Sequence, residues 1–197
     1  MKRQEAAIIP TKWGKYNMIA YATDAGEKMP HIIMVHEGYN AKERVLLRIH
    51  SECLTGDLFA SKRCDCGEQL ERAMELTSAQ GGIVIYLRQE GRGIGILNKL
   101  KAYNLQDQGL NTIDANTHLG FQADARTYEV VLQVLRDLGV KKIDLLTNNP
   151  LKLEVFKNTE FDARRVPIEI PAHKTNLSYL KTKKDKMGHL LQNSLLD

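Results

Sequence analysis

The sequence predicts an α/β fold: a layered mixed sheet with helices packed on it, opened by an N-terminal β-rich meander, in a single domain. Three observations lead to this prediction. Short β-like runs crowd the first 50 residues, helical periodicity alternates with short apolar runs after residue 66, and 197 residues suffice for one sizeable core. Because such sheets bind ligands at the carboxyl ends of their strands, we expect the active cleft there.

The first quarter of the chain is typical of strands joined by turns. Apolar or β-branched runs cover residues 6–10, 16–21, 32–35 and 45–49, and clusters of Gly, Asp, Glu and Lys separate them. This pattern predicts hairpins or a meander.

After residue 66 the apolar period becomes that of helices alternating with buried strands. Apolar residues at helical spacing run from Leu70 to Thr77, and Gly81 and Gly82 end that helix. A strand over 83–87, a glycine-rich turn and a helix over 94–108 follow. A second amphipathic helix, from Tyr128 to Leu138, precedes a strand over 142–146, a helix beginning at Pro150 and a strand near 164–168.

Charge and apolar runs exclude several classes of protein. There are 28 basic and 24 acidic residues, a net charge of +4, which permits an anionic partner without requiring nucleic acid. The run Lys181, Lys183, Lys184 and Lys186 is typical of a solvated helix face or a mobile tail. The apolar stretches 6–9 and 83–87 are too short for a secretory signal or a membrane span, so we expect a cytoplasmic chain with no membrane partner.

The three cysteines, Cys53, Cys64 and Cys66, fall within fourteen positions. An odd number of thiols cannot all pair in disulfides, and clustered thiolates are preferred ligands of zinc. Three protein ligands is the count expected of a catalytic zinc, which keeps one position open. The alternative is three buried thiols that do not meet.

His50 offers a rival, closed arrangement. The spacing His50-x2-Cys53 with Cys64-x-Cys66 could supply the four ligands of a structural zinc. The charge around the cysteines favours a site for a charged substrate instead, and it comes from Arg48, Glu52, Asp57, Arg63 and Asp65. Spacing alone leaves both arrangements open.

A glycine-rich turn follows the strand over 83–87. Alternating glycines let the backbone approach a ligand, and a helix start offers N–H groups to a phosphate. Arg88 and Arg92 add cationic forks beside Glu90, so we expect an anion site. The turn matches neither a Walker A loop nor the dinucleotide fingerprint.

Two further segments place polar groups ahead of helices. Asn149 is suited to cap the helix beginning at Pro150, whereas capping does not explain Thr147 or Lys152. Asp124 is a candidate cap, but Arg126 close behind it is harder to explain in that way. A tyrosine in the helix over 94–108, Tyr103, would by itself be assigned to packing.

Together these segments resemble GTP cyclohydrolase II. The resemblance runs from about residue 45 to 152, with a weaker echo at 186–190. It rests on five motifs: RIHSECLTGD at 48–57, RCDCG at 63–67, RQEGR at 88–92, LQDQG at 105–109 and TNNP at 147–150. Many members carry a fused dihydroxybutanone-phosphate synthase domain, for which 197 residues leave no room. We therefore expect one activity, with a catalytic domain over 1–172 and a lysine-rich, partly mobile tail over 173–197.

The resemblance implies a reaction and a set of residues. GTP would give formate, pyrophosphate and 2,5-diamino-6-(5-phospho-ribosylamino)pyrimidin-4(3H)-one, the first step of riboflavin biosynthesis, in a homodimer with magnesium on the phosphates. Zinc would be held by Cys53, Cys64 and Cys66. Asp124 would accept a proton, Arg126 would act as nucleophile or orient phosphate, and Tyr103 would favour full ring opening. The implied GTP contacts are Arg48, Ile49, His50, Ser51, Glu52, Gln69, Glu90, Gly91, Arg92, Thr112, Thr147 and Lys152.

Two other functions compete with this interpretation. A zinc-stabilised nucleic-acid-binding module would explain the net charge and the lysine run, but 6% aromatic residues supply few stacking platforms. An inactive relative that binds GTP without turnover is disfavoured by the intact motifs. We therefore expect GTP, and no nucleic acid, as the partner.

Overall fold

The computed structural model describes residues 1–122 and 124–193, which form two compact units. Unit 1 comprises residues 1–50, 70–88 and 128–168, and unit 2 comprises 51–69, 89–127 and the described part of 169–197. The chain passes from one unit to the other five times. No single linker therefore separates them, which explains why composition along the sequence marks no internal boundary.

A seven-stranded mixed sheet lies in unit 1, apart from the last residue of one strand, Ser51. The strands are β1 (Lys2–Thr11), β2 (Gly14–Ala22), β3 (His31–His36), β4 (Arg44–Ser51), β5 (Ile83–Leu87), β6 (Lys142–Leu146) and β7 (Asp162–Val166). Their order is β1-β2-β3-β5-β4-β6-β7. The first three form an antiparallel meander that continues antiparallel into β5, whereas β4, β6 and β7 are parallel. The predicted α/β class and the meander are confirmed.

Buried apolar clusters lie on both faces of the sheet. On β4, Val45, Leu47 and Ile49 belong to the main apolar cluster, whereas Leu46 belongs to another, because successive side chains of a strand point to opposite faces. Helix α5 (Glu129–Asp137) supplies its apolar side to the main cluster. Residues of α2 (Cys66–Gln80) pack in the clusters that contain Leu46 and Met34. Each fully buried Leu or Ile contributes roughly 1.5–3 kcal/mol to the hydrophobic stabilisation.

Unit 2 is built mainly of short helices and turns. Its helices are α1 (Leu54–Asp57), α3 (Gly95–Asp107), α4 (Thr112–His118) and α7 (Leu177–Met187), with a 3-10 turn over Glu90–Gly93. The first turn of α2 also belongs to it. In unit 1, α6 (Pro150–Glu154) begins as predicted, with the Leu151 amide donating to Asn149 Oδ1 at 3.0 Å.

Sequence and structure differ at a few element boundaries. β7 begins and ends two residues before the predicted strand. It ends at Val166 because the next residue, Pro167, has no backbone amide to donate to a neighbouring strand. Helices α1, α4 and α7 have no counterpart among the elements predicted from the sequence. The first two are short, and α7 lies in the lysine-rich segment that favoured a tail. Within the part of the chain that the structure describes, no helix is both long and apolar enough to span a membrane.

Candidate metal centre

The three cysteines meet in unit 2. Their Sγ atoms all lie within 4.8 Å of one another, and Cys53 Sγ is 3.6 Å from Cys64 Sγ. Cys53 directly precedes α1, and Cys66 is the first residue of α2. No histidine or carboxylate among the described residues joins this group, so it corresponds to the open arrangement with three ligands.

Two glycines allow the loops that carry the cysteines to approach. A Cβ added to Gly67 would lie 2.3 Å from the carbonyl oxygen of Gly56, and one added to Gly56 would lie 3.1 Å from Cys64 Sγ. The Cys53 amide donates to Asp57 Oδ2 at 2.9 Å, which closes the single turn of α1. The residues around α1 therefore fix where the first thiol points.

The electrostatics of the cluster fit a divalent cation. Hydrogen bonds with Cys64 and Cys66 hold the pKa of the Cys53 thiol far below its ordinary value. The hydrogen bond between Cys53 and Cys64 raises the pKa of Cys64 to about 11. Hydrogen bonds with the other two thiols, together with burial, raise the pKa of Cys66 as well. A metal ion that binds thiolates would let all three ionise.

A buried lysine lies against this cluster. Lys99 Nζ, on α3, donates to Cys53 Sγ at 3.1 Å and to Glu90 Oε1 at 2.8 Å. Burial alone would lower the pKa of Lys99, but the negative charges of Cys53 and Glu90 outweigh it and raise that pKa. Lys99 is therefore a fixed cation beside the first thiol.

The glycine-rich turn adopts a left-handed backbone. Gly91 and Arg92 have φ values of 61° and 64°, and Gly93 has 93°. A positive φ is unusual for arginine and is typical of strained functional segments. The Arg92 carbonyl accepts from the Ala125 amide at 3.2 Å, so this turn supports the segment that contains Asp124 and Arg126.

Asp124 and Arg126 form a forked ion pair. Arg126 Nε and Nη2 donate to the two oxygens of Asp124 at 2.8 and 2.5 Å, and the Arg126 amide donates to Oδ1 at 3.1 Å. The side chain of Arg126 is only 12% exposed and that of Asp124 only 14%. Burial would raise the pKa of Asp124, but Arg126 outweighs it and the net shift is downward. Asp124 does not cap a helix here; it holds the plane of the guanidinium.

Tyr103 points toward the cysteines rather than into an apolar core. Its hydroxyl lies 3.5 Å from Thr55 Oγ1, which in turn lies 3.7 Å from Cys53 Sγ. Burial raises the pKa of Tyr103, so the phenol keeps its proton near neutral pH. A protonated hydroxyl therefore lies one side chain away from Cys53.

Helix α7 reaches the loop between the second and third cysteines. Lys183 Nζ donates to Asp65 Oδ1 at 2.5 Å, and Gln69 Nε2 donates to Asp65 Oδ2 at 2.5 Å. The side chains of Lys183 and Asp65 are 12% and 3% exposed. In the lysine run the expected solvated face holds for Lys181 and Lys186, which are exposed, but not for Lys183.

Three other predicted residues of unit 2 lie at element ends. Ser51 ends β4, Glu52 follows it, and both are partly buried. Thr112 is the first residue of α4, whose N-cap Asn111 accepts through Oδ1 from the amides of Ile113 and Asp114. Their places fit a binding surface but do not by themselves assign a ligand.

Five of the predicted residues, Arg48, Ile49, His50, Thr147 and Lys152, lie in unit 1. Arg48 Nη1 donates to the Leu146 carbonyl at 3.0 Å, and Lys152 Nζ donates to the Ile49 carbonyl at 2.7 Å. The His50 ring stacks on Tyr86, with 5.4 Å between ring centroids. Thr147 Oγ1 accepts from the Asn149 amide at 3.0 Å. Each has a structural role at the carboxyl ends of β4 and β6.

Comparison with known proteins decides the family. The family model for GTP cyclohydrolase II matches residues 2–166. The chain belongs to the GTP cyclohydrolase II family. It is 51% identical over 194 residues to the GTP cyclohydrolase-2 of Archaeoglobus fulgidus, covering 97% of this chain and 50% of that protein. It is 47% identical to riboflavin biosynthesis protein RibBA of Chlorobium phaeovibrioides, covering 97% and 47%.

A relative of similar length also exists. The GTP cyclohydrolase-2 of Campylobacter fetus subsp. fetus is 48% identical over 189 residues, covering 96% of this chain and 95% of that protein. The chain spans about half the length of the other two relatives named above. The match to residues 2–166 includes the whole sheet and all three cysteines.

In this member of the GTP cyclohydrolase II family, three residues around the cysteines were not predicted as site residues from the sequence: Lys99, Thr55 and Lys183. Lys99 lies four residues before Tyr103 and therefore on the same helical face, which was a usable signal. Thr55 lies inside the first motif, RIHSECLTGD. Nothing in the lysine run marks Lys183, because its partner Asp65 is 118 residues away.

Proposed function

We propose that this chain hydrolyses GTP, opening the imidazole ring to give formate, pyrophosphate and 2,5-diamino-6-(5-phospho-ribosylamino)pyrimidin-4(3H)-one. This would be the first step of riboflavin biosynthesis, carried out in the cytoplasm by a homodimer. Family membership supports the reaction class. The observation that carries the proposal is the convergence of three sulfurs in the same unit as the partly buried Asp124–Arg126 pair and Tyr103.

Cys53, Cys64 and Cys66 would hold one zinc ion per subunit. Three thiolates and no fourth protein ligand among the described residues match a site that keeps a position open for water or substrate. Bound zinc supplies Lewis acidity, which makes a water molecule nucleophilic near neutral pH. Magnesium would accompany the GTP phosphates, where hard oxygen ligands suit it.

Asp124 and Arg126 would act on the phosphate chain. Arginine stays protonated at neutral pH, and the forked bond to Asp124 fixes the guanidinium plane, so Arg126 is better suited to orient a phosphate than to attack it. Asp124 keeps a low pKa and can accept a proton only weakly while the pair is intact. We therefore favour an orienting role for this pair over covalent catalysis.

Tyr103 would donate or relay a proton in ring opening. Its hydroxyl is held near the cysteines through Thr55, and burial keeps it protonated. The Glu90–Gly93 turn would place Arg92 against phosphate oxygens. The other predicted GTP contacts remain predictions on the strength of the resemblance: Arg48, Ile49, His50, Ser51, Glu52, Gln69, Glu90, Gly91, Thr112, Thr147 and Lys152.

The test is to incubate the purified chain with GTP and magnesium and to measure formate, pyrophosphate and the absorbance of the diaminopyrimidine product. We expect all three products. Cys64→Ser should lose both zinc and formate release, and Arg126→Ala should lose both formate and pyrophosphate. GTP binding without any product would identify an inactive relative and overturn the proposal.

A further inference from the structure

Lys99 is buried to a degree that is rare for lysine. The residue is 8% exposed, and its side chain and that of Glu90 are 10% and 9% exposed. A lysine is almost never buried unless paired, because its ammonium loses hydration. Only two polar groups receive its hydrogen bonds in the described structure, Glu90 Oε1 and Cys53 Sγ.

Both carboxylate oxygens of Glu90 accept hydrogen bonds from other groups of the protein. Oε1 accepts from Lys99 Nζ at 2.8 Å and from the Gly91 amide at 2.7 Å. Oε2 accepts from the Leu54 amide at 2.6 Å. Leu54 directly follows Cys53, so Glu90 holds the backbone next to the first thiol while Lys99 holds its sulfur.

The contact between Lys99 and Cys53 has the chemistry of an ammonium donating to a thiolate. A neutral thiol is a weak acceptor, and the deprotonated sulfur is the form that ligates a metal. A divalent cation with three thiolates keeps a net negative charge, which a fixed cation at 3.1 Å would offset. Mutating a group that hydrogen-bonds to a metal ligand typically lowers metal affinity by about tenfold to a hundredfold.

We propose that Lys99 is a positioning residue of the metal centre, which orients and charge-compensates the Cys53 ligand and, through Glu90, couples it to the turn that carries Arg92. The inference rests on the metal-binding part of the proposed function but not on the identity of the substrate. Gly91 supports the arrangement, because a Cβ there would lie 3.2 Å from Lys99 Cβ. Glu90 then acts as a bridge within the protein.

The test measures zinc affinity of the full chain by competition with a chromophoric chelator. Lys99→Met should weaken zinc binding by about tenfold to a hundredfold. Lys101→Met, which removes an exposed lysine from the same helix, should leave it unchanged. With cobalt(II) as probe, Lys99→Met should also shift the sulfur-to-cobalt charge-transfer band, since the hydrogen bond to Cys53 Sγ is lost. A general loss of stability would not move that band.

A double variant separates the thiolate from the carboxylate. Lys99→Met leaves Glu90 buried without its cation, so that variant alone could fail to fold. Glu90→Gln and Glu90→Gln with Lys99→Met both lack the carboxylate, and their difference isolates the contact with sulfur. We expect the double variant to bind zinc about tenfold or more weakly than Glu90→Gln.

Two results would overturn the inference, and they are distinguishable. Equal zinc affinity in Glu90→Gln and the double variant would mean that Lys99 only neutralises Glu90. A wild-type chain that binds no zinc would remove the metal centre itself, and with it the metal part of the proposed function.

Discussion

At the scale of single residues, the protonation state of each side chain in the site is set by a neighbouring charge or by burial. Asp124 is kept ionised by Arg126, Lys99 is kept charged by Glu90 and Cys53, and Tyr103 is kept neutral by burial. The sequence predicted the residue types but not these pairings. Asp124 has the pattern of a helix cap, and only the structure reveals that its carboxylate accepts from the Arg126 side chain.

Asp124→Asn tests the first of these pairs. The amide cannot form the charged fork, so the guanidinium loses its fixed orientation and the site loses a carboxylate. We expect kcat for formate release to fall by about a hundredfold or more, with zinc content unchanged. Metal analysis of the same preparation is the control. A kcat close to that of the wild type would exclude a role for this pair in turnover.

His31 provides a pH-dependent test in unit 1. Burial and the charge of Arg88, partly offset by Glu27, lower the pKa of His31 below its ordinary value of 6.5. Its Nδ1 accepts from the Arg88 amide at 3.0 Å, so it is neutral when folded. Between the lowered pKa and 6.5 the unfolded chain binds more protons, and stability therefore rises with pH in that window.

His31→Gln should flatten this dependence. Denaturant unfolding of the two chains at several pH values below 6.5 measures it. If the variant and the wild type lose stability equally as the pH falls, another group controls the acid limb.

At the scale of elements, the loops that carry the cysteines depend on close backbone approach and on three long-range contacts. The approach of α1 to the start of α2 requires glycine at position 67. The segment that contains α7 contacts those loops at Lys183–Asp65, at His173–Glu68 and from Thr175 to the Lys62 carbonyl. Gly67 follows Cys66 directly and is therefore visible in the sequence. Contacts between residues more than 100 positions apart leave no local pattern, which is why the lysine-rich segment favoured a tail.

Gly67→Ala should move these two elements apart. The new Cβ would collide with the Gly56 backbone, which cannot rotate away, and we expect a loss of about 1–3 kcal/mol in stability together with weaker zinc binding. Thermal unfolding and chelator competition measure the two effects. Gly26→Ala is the control, because there only the Asp24 side chain comes within 4 Å. Unchanged zinc affinity in Gly67→Ala would contradict the requirement for close approach.

Lys183→Met tests the contribution of α7. Removing the ammonium breaks a buried ion pair with Asp65, whose side chain is 3% exposed, and breaking such a pair typically costs about 3 kcal/mol. Lys186→Met, in the same helix but exposed, is the matched control. Chemical denaturation of both variants measures the difference. If both are as stable as the wild type, α7 does not stabilise the loops that carry the cysteines.

At the scale of the whole molecule, the sequence predicted the sheet well because its strands carry local signals. Strands β5 and β6 have the predicted bounds, since each is a short apolar run between turn residues. The division into two units could not be read from the sequence, because each unit is assembled from three separate segments. Likewise, cysteine spacing predicted a metal site but left His50 as a possible ligand, and only the distances identify the group of three.

The most direct test of the whole account joins metal content to turnover in one preparation. The purified chain is analysed for zinc, assayed for formate release from GTP, stripped with a chelator, and assayed again before and after zinc is restored. We predict stoichiometric zinc, activity lost on stripping and activity regained on addition of zinc. A metal-free chain that releases formate at the original rate would contradict the role assigned to Cys53, Cys64 and Cys66.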